Sequence, residues 1–186
     1  MTIAELSSYC NYAANRKELV TCSTVYTDSD VMVNTYDHDE DLIIVLTTEV
    51  KNIGMFKRVS PETVPGSVNQ KLYELALESL DVLQDLDFEG RNFWLTGWGF
   101  GGSLSVVLAS LLESSDSYPN SSVAFFSNDP GDREFMQNRV SPVYTVSNGI
   151  WRPKYKNVTN VKAGNIFNSF SKPVNSGILE SIQLEV

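Results

Sequence analysis

The chain has 186 residues, 42% of them apolar and 20% charged, and a formal net charge of −9. That composition excludes a disordered chain and suits one domain with one sizeable core over residues 1–186. Its sign repels phosphate backbones and anionic membrane surfaces, which argues against nucleic acid as a partner. No run of about 18 apolar residues occurs, so no membrane span is expected. The start, "MTIAELSSYC", lacks the basic-then-apolar order of a signal peptide. The expectation is a cytoplasmic protein, or a secreted one whose leader has been removed.

Thr2-x-x-Glu5 is a capping-box pattern and predicts a short helix ending near Ala14. Val31–Tyr36 predicts a strand, followed by the charged turn "DHDED". Leu42–Thr48 is a continuous, largely β-branched run and predicts a strand buried on both faces. Glu49–Gly66, with Gly54, Pro61, Pro65 and Gly66, is expected to be a loop. From Val68, apolar residues at Leu72, Leu75, Ala76, Leu80, Leu83 and Leu86 give helical spacing with one buried face, closed at Gly90. Asn92–Thr96 predicts a strand, "GWGFGG" a tight turn, and Ser103–Leu112 a buried helix. Ser122–Ser127 predicts another strand, and Asp132 is placed to cap a helix from Arg133. Pro142–Val146 predicts the last main strand. After Gly149 loops are expected, with one short strand near Ile178–Leu184. Alternating strands and helices specify an α/β fold, with a mostly parallel central sheet and helices on both faces.

Cys10 and Cys22 are too few for a disulfide framework and have no histidine nearby for zinc. Either two separate thiols or one pair fits the sequence. Asn120 and Asn157 open glycosylation triplets that matter only in a secreted chain.

The stretch "FWLTGWGFGGSLSVVLASLL" runs from a strand through a turn into a buried helix. In the nucleophile elbow G-x-S-x-G, glycines flank the reactive serine because strand and helix approach closely there. Gly97 and Gly101 hold the flanking positions and Gly102 follows. The middle position, where a nucleophile belongs, is Gly99. The same letters satisfy G-x-G-x-x-G, the dinucleotide fingerprint. Against that reading, the fingerprint opens its fold, whereas here the first half of the chain precedes it. The acidic residue expected about 20 positions on has no counterpart, Asp116 being too early and Asp129 late. Trp98 and Phe100 also crowd the space a pyrophosphate needs.

The sequence resembles class 3 lipases of the fungal lipase and feruloyl esterase type. "SSYCNYAANRKELVTCST" resembles that family's N-terminal helix, and "DLIIVLTTE" its strand ending in F-R-G-T. "VPGSVNQKLYELALESLDVLQ" resembles the V-H-x-G-F segment and following helix, and "FWLTGWGFGGSLSVVLAS" the V-T-G-H-S-L-G-G elbow. "VAFFSNDPGDREFMQ" and "VYTVSNGIWRPKY" resemble the two later segments, in the family's order. The resemblance implies an α/β-hydrolase fold, and it departs where chemistry is done. Gly99 stands at the nucleophile position. The acid position falls near Asn148 and Gly149, and the histidine position near Val161 and Lys162, without the required side chains. Thr47-Thr48-Glu49 replaces R-G-T, and Pro65 stands where the family has its histidine before the long helix. The Phe100 N–H is the one oxyanion donor expected to remain. The lid region, Lys51–Gly66, is short, with Ile53, Met55 and Phe56 as its apolar patch.

These departures predict a protein without lipase chemistry, cofactor or metal. The expected role is protein interaction, as an effector, toxin or regulatory factor, with Trp98, Phe100 and Trp151 as candidate contacts. The alternative is a small apolar or acyl ligand held in the former cleft. An unrelated hydrolytic constellation and a bound nucleotide are weaker alternatives. Ser103 and Ser105 lie on the buried helix, and Trp94, Trp98 and Trp151 suit packing as well as binding. His38, with Asp37, Asp39 and Asp41, forms either a weak cation site or a solvated turn. Ser127–Asp132 lies at a strand's C-terminal end, where open α/β sheets place ligands, although a turn and a helix cap account for it equally.

Overall fold

The computed structural model describes residues 1–14, 22–48, 57–85, 91–125, 127–147 and 154–162. The chain begins with α1 (Ile3–Ala14), β1 (Cys22–Tyr26), β2 (Val31–His38) and β3 (Asp41–Thr48). It continues through β4 (Arg58–Val59), β5 (Val68–Asn69), α2 (Gln70–Leu83), β6 (Phe93–Trp98) and α3 (Phe100–Ser114). It ends with β7 (Ser121–Phe125), α4 (Arg133–Gln137), β8 (Val143–Ser147) and β9 (Val158–Lys162). The seven-stranded sheet has the order β1-β2-β3-β6-β7-β8-β9. β1, β2 and β3 form an antiparallel meander, and β3, β6, β7, β8 and β9 are parallel.

Local chemistry sets the ends of these elements. The Thr2 N–H donates to Glu5 Oε2 at 2.6 Å, and the Glu5 N–H to Thr2 Oγ1 at 3.1 Å. This reciprocal cap opens α1 as its sequence predicts. Asn69 caps α2 by accepting the Leu72 N–H at 3.1 Å. Ser29 donates its hydroxyl and its N–H to Glu78, at 2.6 and 3.0 Å, which ties the β1–β2 turn to α2.

Alternation along the central strands divides the core between two faces. Leu42, Ile44 and Leu46 of β3, with Phe93 and Leu95 of β6, pack with α2 and α3. Ile43, Val45 and Trp94 point the other way, onto Ile3, Leu6, Cys10 and Ala13 of α1. Full burial of one such side chain contributes about 1.5–3 kcal/mol. α3 is buried continuously from Gly101 to Glu113, enclosed between the sheet and α2, which explains its largely apolar composition.

Four features depart from the sequence expectation. β1 was not expected, because an exposed edge strand carries no burial pattern; Ser23 to Tyr26 are all exposed. β9 extends the sheet beyond β8, the strand expected to be last. Its buried residues, Val158 and Val161, are three apart and give no period-two signal. The expected loop up to Gly66 contains β4, which pairs with β5. The charged turn narrows to Asp39 and Glu40, because His38 and Asp41 pair as the last rung of the β2–β3 ladder. Asp39 takes a φ of 55° there. The strand expected near Ile178–Leu184 lies outside the described residues. Among those described, no helix is long and apolar enough to cross a membrane.

One buried ion pair joins the C-terminal end of α3 to the segment entering β8. Arg139 Nη1 lies 3.3 Å from Glu113 Oε2, and both side chains are enclosed. Glu113 Oε1 accepts the Ser141 N–H at 2.8 Å, and Arg139 Nε donates to the Phe135 carbonyl at 3.0 Å. Removing one member leaves the other charge buried and unpaired, which costs about 3–5 kcal/mol. Glu113→Ala is therefore expected to lower unfolding free energy by about that amount in urea titration; a change below about 1 kcal/mol would show the pair to be solvated.

Candidate functional site

The turn between β6 and α3 occupies the C-terminal edge of the parallel strands, where open α/β sheets place their sites. Gly99, the N-cap of α3, has φ 57° and ψ −118°, and no side chain caps the helix. L-residues rarely adopt that conformation, and holding one there costs about 1–3 kcal/mol. The Gly99 N–H donates to the Phe125 carbonyl at 2.8 Å, and its carbonyl accepts the Ser103 N–H at 3.2 Å.

The flanking glycines are required by contact. A Cβ on Gly101 would lie 2.1 Å from the Leu46 carbonyl oxygen. On Gly97 it would lie 2.4 Å from the Gly101 carbonyl carbon, and on Gly102 2.8 Å from the Gly97 oxygen. This pattern separates the two motif readings. The elbow demands glycine at 101, while the dinucleotide fingerprint leaves that position open, and 101 is the tightest of the three. The Phe100 N–H lies in the first turn of α3, where helix geometry supplies no internal acceptor. Gly101 also brings Thr47 alongside, a Cβ there lying 3.6 Å from the Thr47 Cα. Thr48 ends β3, and Glu49 lies outside the described residues.

Register aligns the ends of four strands. Trp98 pairs with Phe125, Phe125 with Val146, and Val146 with Val161. Gly99 and Lys162 each stand one residue beyond that row, so both lie on the same edge, three strands apart. Lys162 is exposed and Val161 buried. Asn148, Gly149 and Trp151 lie outside the described residues. His38, the one histidine in the sequence, lies at the other end of the sheet. It pairs with Asp41 beside Leu42, and Leu42 is level with Phe93, where β6 begins. Six residues of strand separate Phe93 from Gly99, a span of about 20 Å. His38 is half-buried, and its Nδ1 lies 2.8 Å from the Tyr9 hydroxyl. The neighbouring Asp37 is taken by Arg91 at 2.5 Å. Among the described residues no group of three His, Cys, Asp or Glu side chains could hold a metal.

The aromatic side chains beside the turn are partly enclosed. Trp98 and Phe100 are half-buried, not exposed. Trp98 stacks on Phe125, with ring centroids 5.9 Å apart and planes 14° apart, and Phe100 packs against the α2–α3 core. Trp94 is wholly buried. The exposed large aromatics among the described residues are Tyr26 and Tyr118, at 55% and 49%. Ser103 donates its hydroxyl to the Asn128 carbonyl at 2.7 Å and Ser105 to the Gly102 carbonyl at 2.8 Å, so both are occupied structurally. Cys10 is a free, buried thiol in contact with Thr96 Oγ1 at 3.4 Å. Burial pushes it up to about 12, which leaves it unreactive. The Asn157 side-chain nitrogen donates to the Arg139 and Val140 carbonyls at 2.6 and 3.0 Å, so the folded chain has no free amide for a glycan there.

One rim of the site was only half legible. Asp132 caps α4 as expected, accepting the Phe135 N–H at 2.8 Å. It also accepts the Ser67 hydroxyl at 2.7 Å and the Ser67 N–H at 3.1 Å. The Asp132 N–H donates to the Ser67 carbonyl at 2.8 Å and the Asn69 N–H to the Pro130 carbonyl at 2.9 Å. The Ser127–Asp132 loop is thus laced to the segment entering α2. Gly66, at φ 77°, is the sequence signal for that partner, since a Cβ there would lie 2.6 Å from Asp132 Oδ1.

No protein-family profile and no curated protein matches the sequence. Solved structures do match in shape. A triacylglycerol lipase from Penicillium expansum superposes with a TM-score of 0.58 and 10% identity, over 86% of this chain and 78% of its own. The mono- and diacylglycerol lipase of Aspergillus oryzae gives 0.59 and 11%, over 80% and 72%. A triacylglycerol lipase whose catalytic centre is formed by a serine protease triad gives 0.58 and 16%, over 77% and 70%. The fold is that of the fungal lipases. At these identities the likeness is one of α/β-hydrolase architecture, and it agrees with the six segments by which the sequence resembles class 3 lipases.

Two outcomes follow from the geometry of this lipase-like turn and its rim. Gly101→Ala is expected to lower stability by about 3 kcal/mol or more, since backbone must move to admit the methyl group. Wild-type denaturation behaviour in that variant would remove the elbow packing. At Asp132, burial works to raise the carboxyl pKa, but the bonds from Phe135 and Ser67 outweigh it and the pKa is lowered. A lowered folded-state pKa gives stability that is present above the unfolded value and lost as pH falls through the folded one. The stability difference between wild type and Asp132→Asn should therefore be flat above about pH 5 and shrink below about pH 4. A difference that grew on acidification would contradict the assignment.

Proposed function

We propose that this protein is a catalytically inactive, lipase-like protein that uses the α/β-hydrolase scaffold for protein interaction. The observation that supports the proposal is Gly99, which the elbow reading puts at the nucleophile position and which, at φ 57° and ψ −118°, supplies no Oγ. Acyl transfer in this fold needs a nucleophile, a base within hydrogen-bond reach and oxyanion donors together. His38, the sole imidazole in the sequence, is about 20 Å of strand away from that turn. The remaining Phe100 N–H has no tetrahedral intermediate to stabilise without a nucleophile to form one. Loss of triad members lowers rate by roughly four to six orders of magnitude in a well-studied hydrolase.

The packing of Trp98 on Phe125 and of Phe100 on the α2–α3 core supports interaction over ligand binding. Both side chains beside Gly99 are engaged in packing, whereas an acyl site needs apolar walls turned toward an open cleft.

The test offers wild type and Gly99→Ser dye-linked esters of several chain lengths and a serine-directed phosphonate probe. Neither protein is expected to turn over ester or take up label. Sustained turnover by wild type that a point substitution abolishes would sink the proposal. A fluorescent fatty acid titrated against wild type separates the two binding roles: no saturable signal is expected, and saturation at micromolar concentration would favour the acyl ligand.

A further inference from the structure

We infer that the corner where the end of α3 meets the starts of β7 and β8 is a built hydration site that takes ordered internal water. The inference rests on side chains remote from the Gly99 edge. Ser110, Ser122 and Ser141 are 2%, 0% and 4% exposed, and none of their hydroxyls has a hydrogen-bond partner among the described residues. The Asn120 side-chain nitrogen is also enclosed and unpartnered.

Register brings these groups to one place. Ser122 pairs with Val143, so two residues earlier Asn120 runs beside Ser141. Strand alternation turns Asn120 and Ser122 toward the face that carries Ala124, and Val143 lies on the same face, in the core packed by α3. On α3, Ser110 lies one turn before Glu113, whose carboxylate accepts the Ser141 N–H at 2.8 Å. A mid-helix serine ordinarily satisfies itself on the carbonyl four residues back, as Ser79 does with Leu75 at 2.8 Å. Ser110 does not, which leaves its hydroxyl for another partner.

The chemistry selects the occupant. Native interiors leave few buried polar groups unpaired, and a buried water needs two to four polar partners. The corner supplies amide donors from Asn120, hydroxyls that donate or accept, and the remaining lone pairs of the Glu113 carboxylate. Glu113 and Arg139 already balance each other's charge, so an ion gains nothing there that neutral water does not.

A high-resolution crystal structure of the full chain, with the thermal stability of Ser122→Ala and Ser141→Ala, tests the inference. Ordered solvent density within about 3 Å of the Ser122 and Ser141 hydroxyls is expected. Each alanine variant is expected to lose its share of that density and to melt about 2–4 °C lower. Absence of density in wild type overturns the inference whatever the melting temperatures. So does density that survives both substitutions unchanged. Unchanged or raised melting temperatures in both variants also overturn it, since a hydroxyl facing apolar space is improved by its removal.

Discussion

The approach of Gly101 to the Leu46 carbonyl is the constraint on which the rest of the sheet depends. With a Cβ absent at 101, α3 leaves β6 at a tight angle and lies directly on β3 and β7. That closeness fixes Gly97 and Gly102 as well, and with α2 covering its outer side α3 is buried all round, by apolar residues and a few polar ones. The position of Gly99 at the sheet's C-terminal edge is a consequence of this packing. It requires nothing of residue 99 except tolerance of a positive φ. The requirements of the scaffold and those of hydrolytic chemistry are therefore separable. Contacts among backbone atoms preserve the turn, whereas reactivity would need side chains from three distant parts of the chain.

Much of this was legible in the sequence because it depends on short-range pattern. The capping box at Thr2 and Glu5, the two-faced burial of Leu42–Thr48, the helical stripe from Leu72 to Leu83 and the glycine spacing of the elbow each state a local requirement. The features that escaped depend on partners far along the chain. β1 is exposed, so nothing in its residues announces a strand, and it exists through its ladder with β2. β9 buries Val158 and Val161 out of phase with a simple alternation and is recognised only by its place beside β8. Ser67 became part of the site's rim through Asp132, although only the helix-capping half of that residue's work was predictable.

The candidate contacts show the same limit. Aromatic residues beside a glycine-rich turn read equally well as rim or as packing, and the fold adds that Trp98 stacks on Phe125. His38 is the reverse case. Its sequence neighbours are acidic, which suggests a cation, yet Arg91 answers Asp37 and Tyr9 answers the imidazole. Charge runs acquire their meaning from what the fold sets opposite them.

The order of the strands also governs how the chain reaches this structure. β1, β2 and β3 pair with their immediate sequence neighbours, so their ladder closes only short loops. β3 must then wait for β6, which is made after β4, β5 and α2 have been threaded between them. Parallel pairing of that kind is intrinsically slow because loop-closure entropy is spent before any contact repays it. During that interval the apolar edge of β3, carrying Ile43, Ile44, Val45 and Leu46, has no second partner. Until β6 arrives, that edge is open to strand pairing with another chain, the general hazard that slow parallel pairing carries.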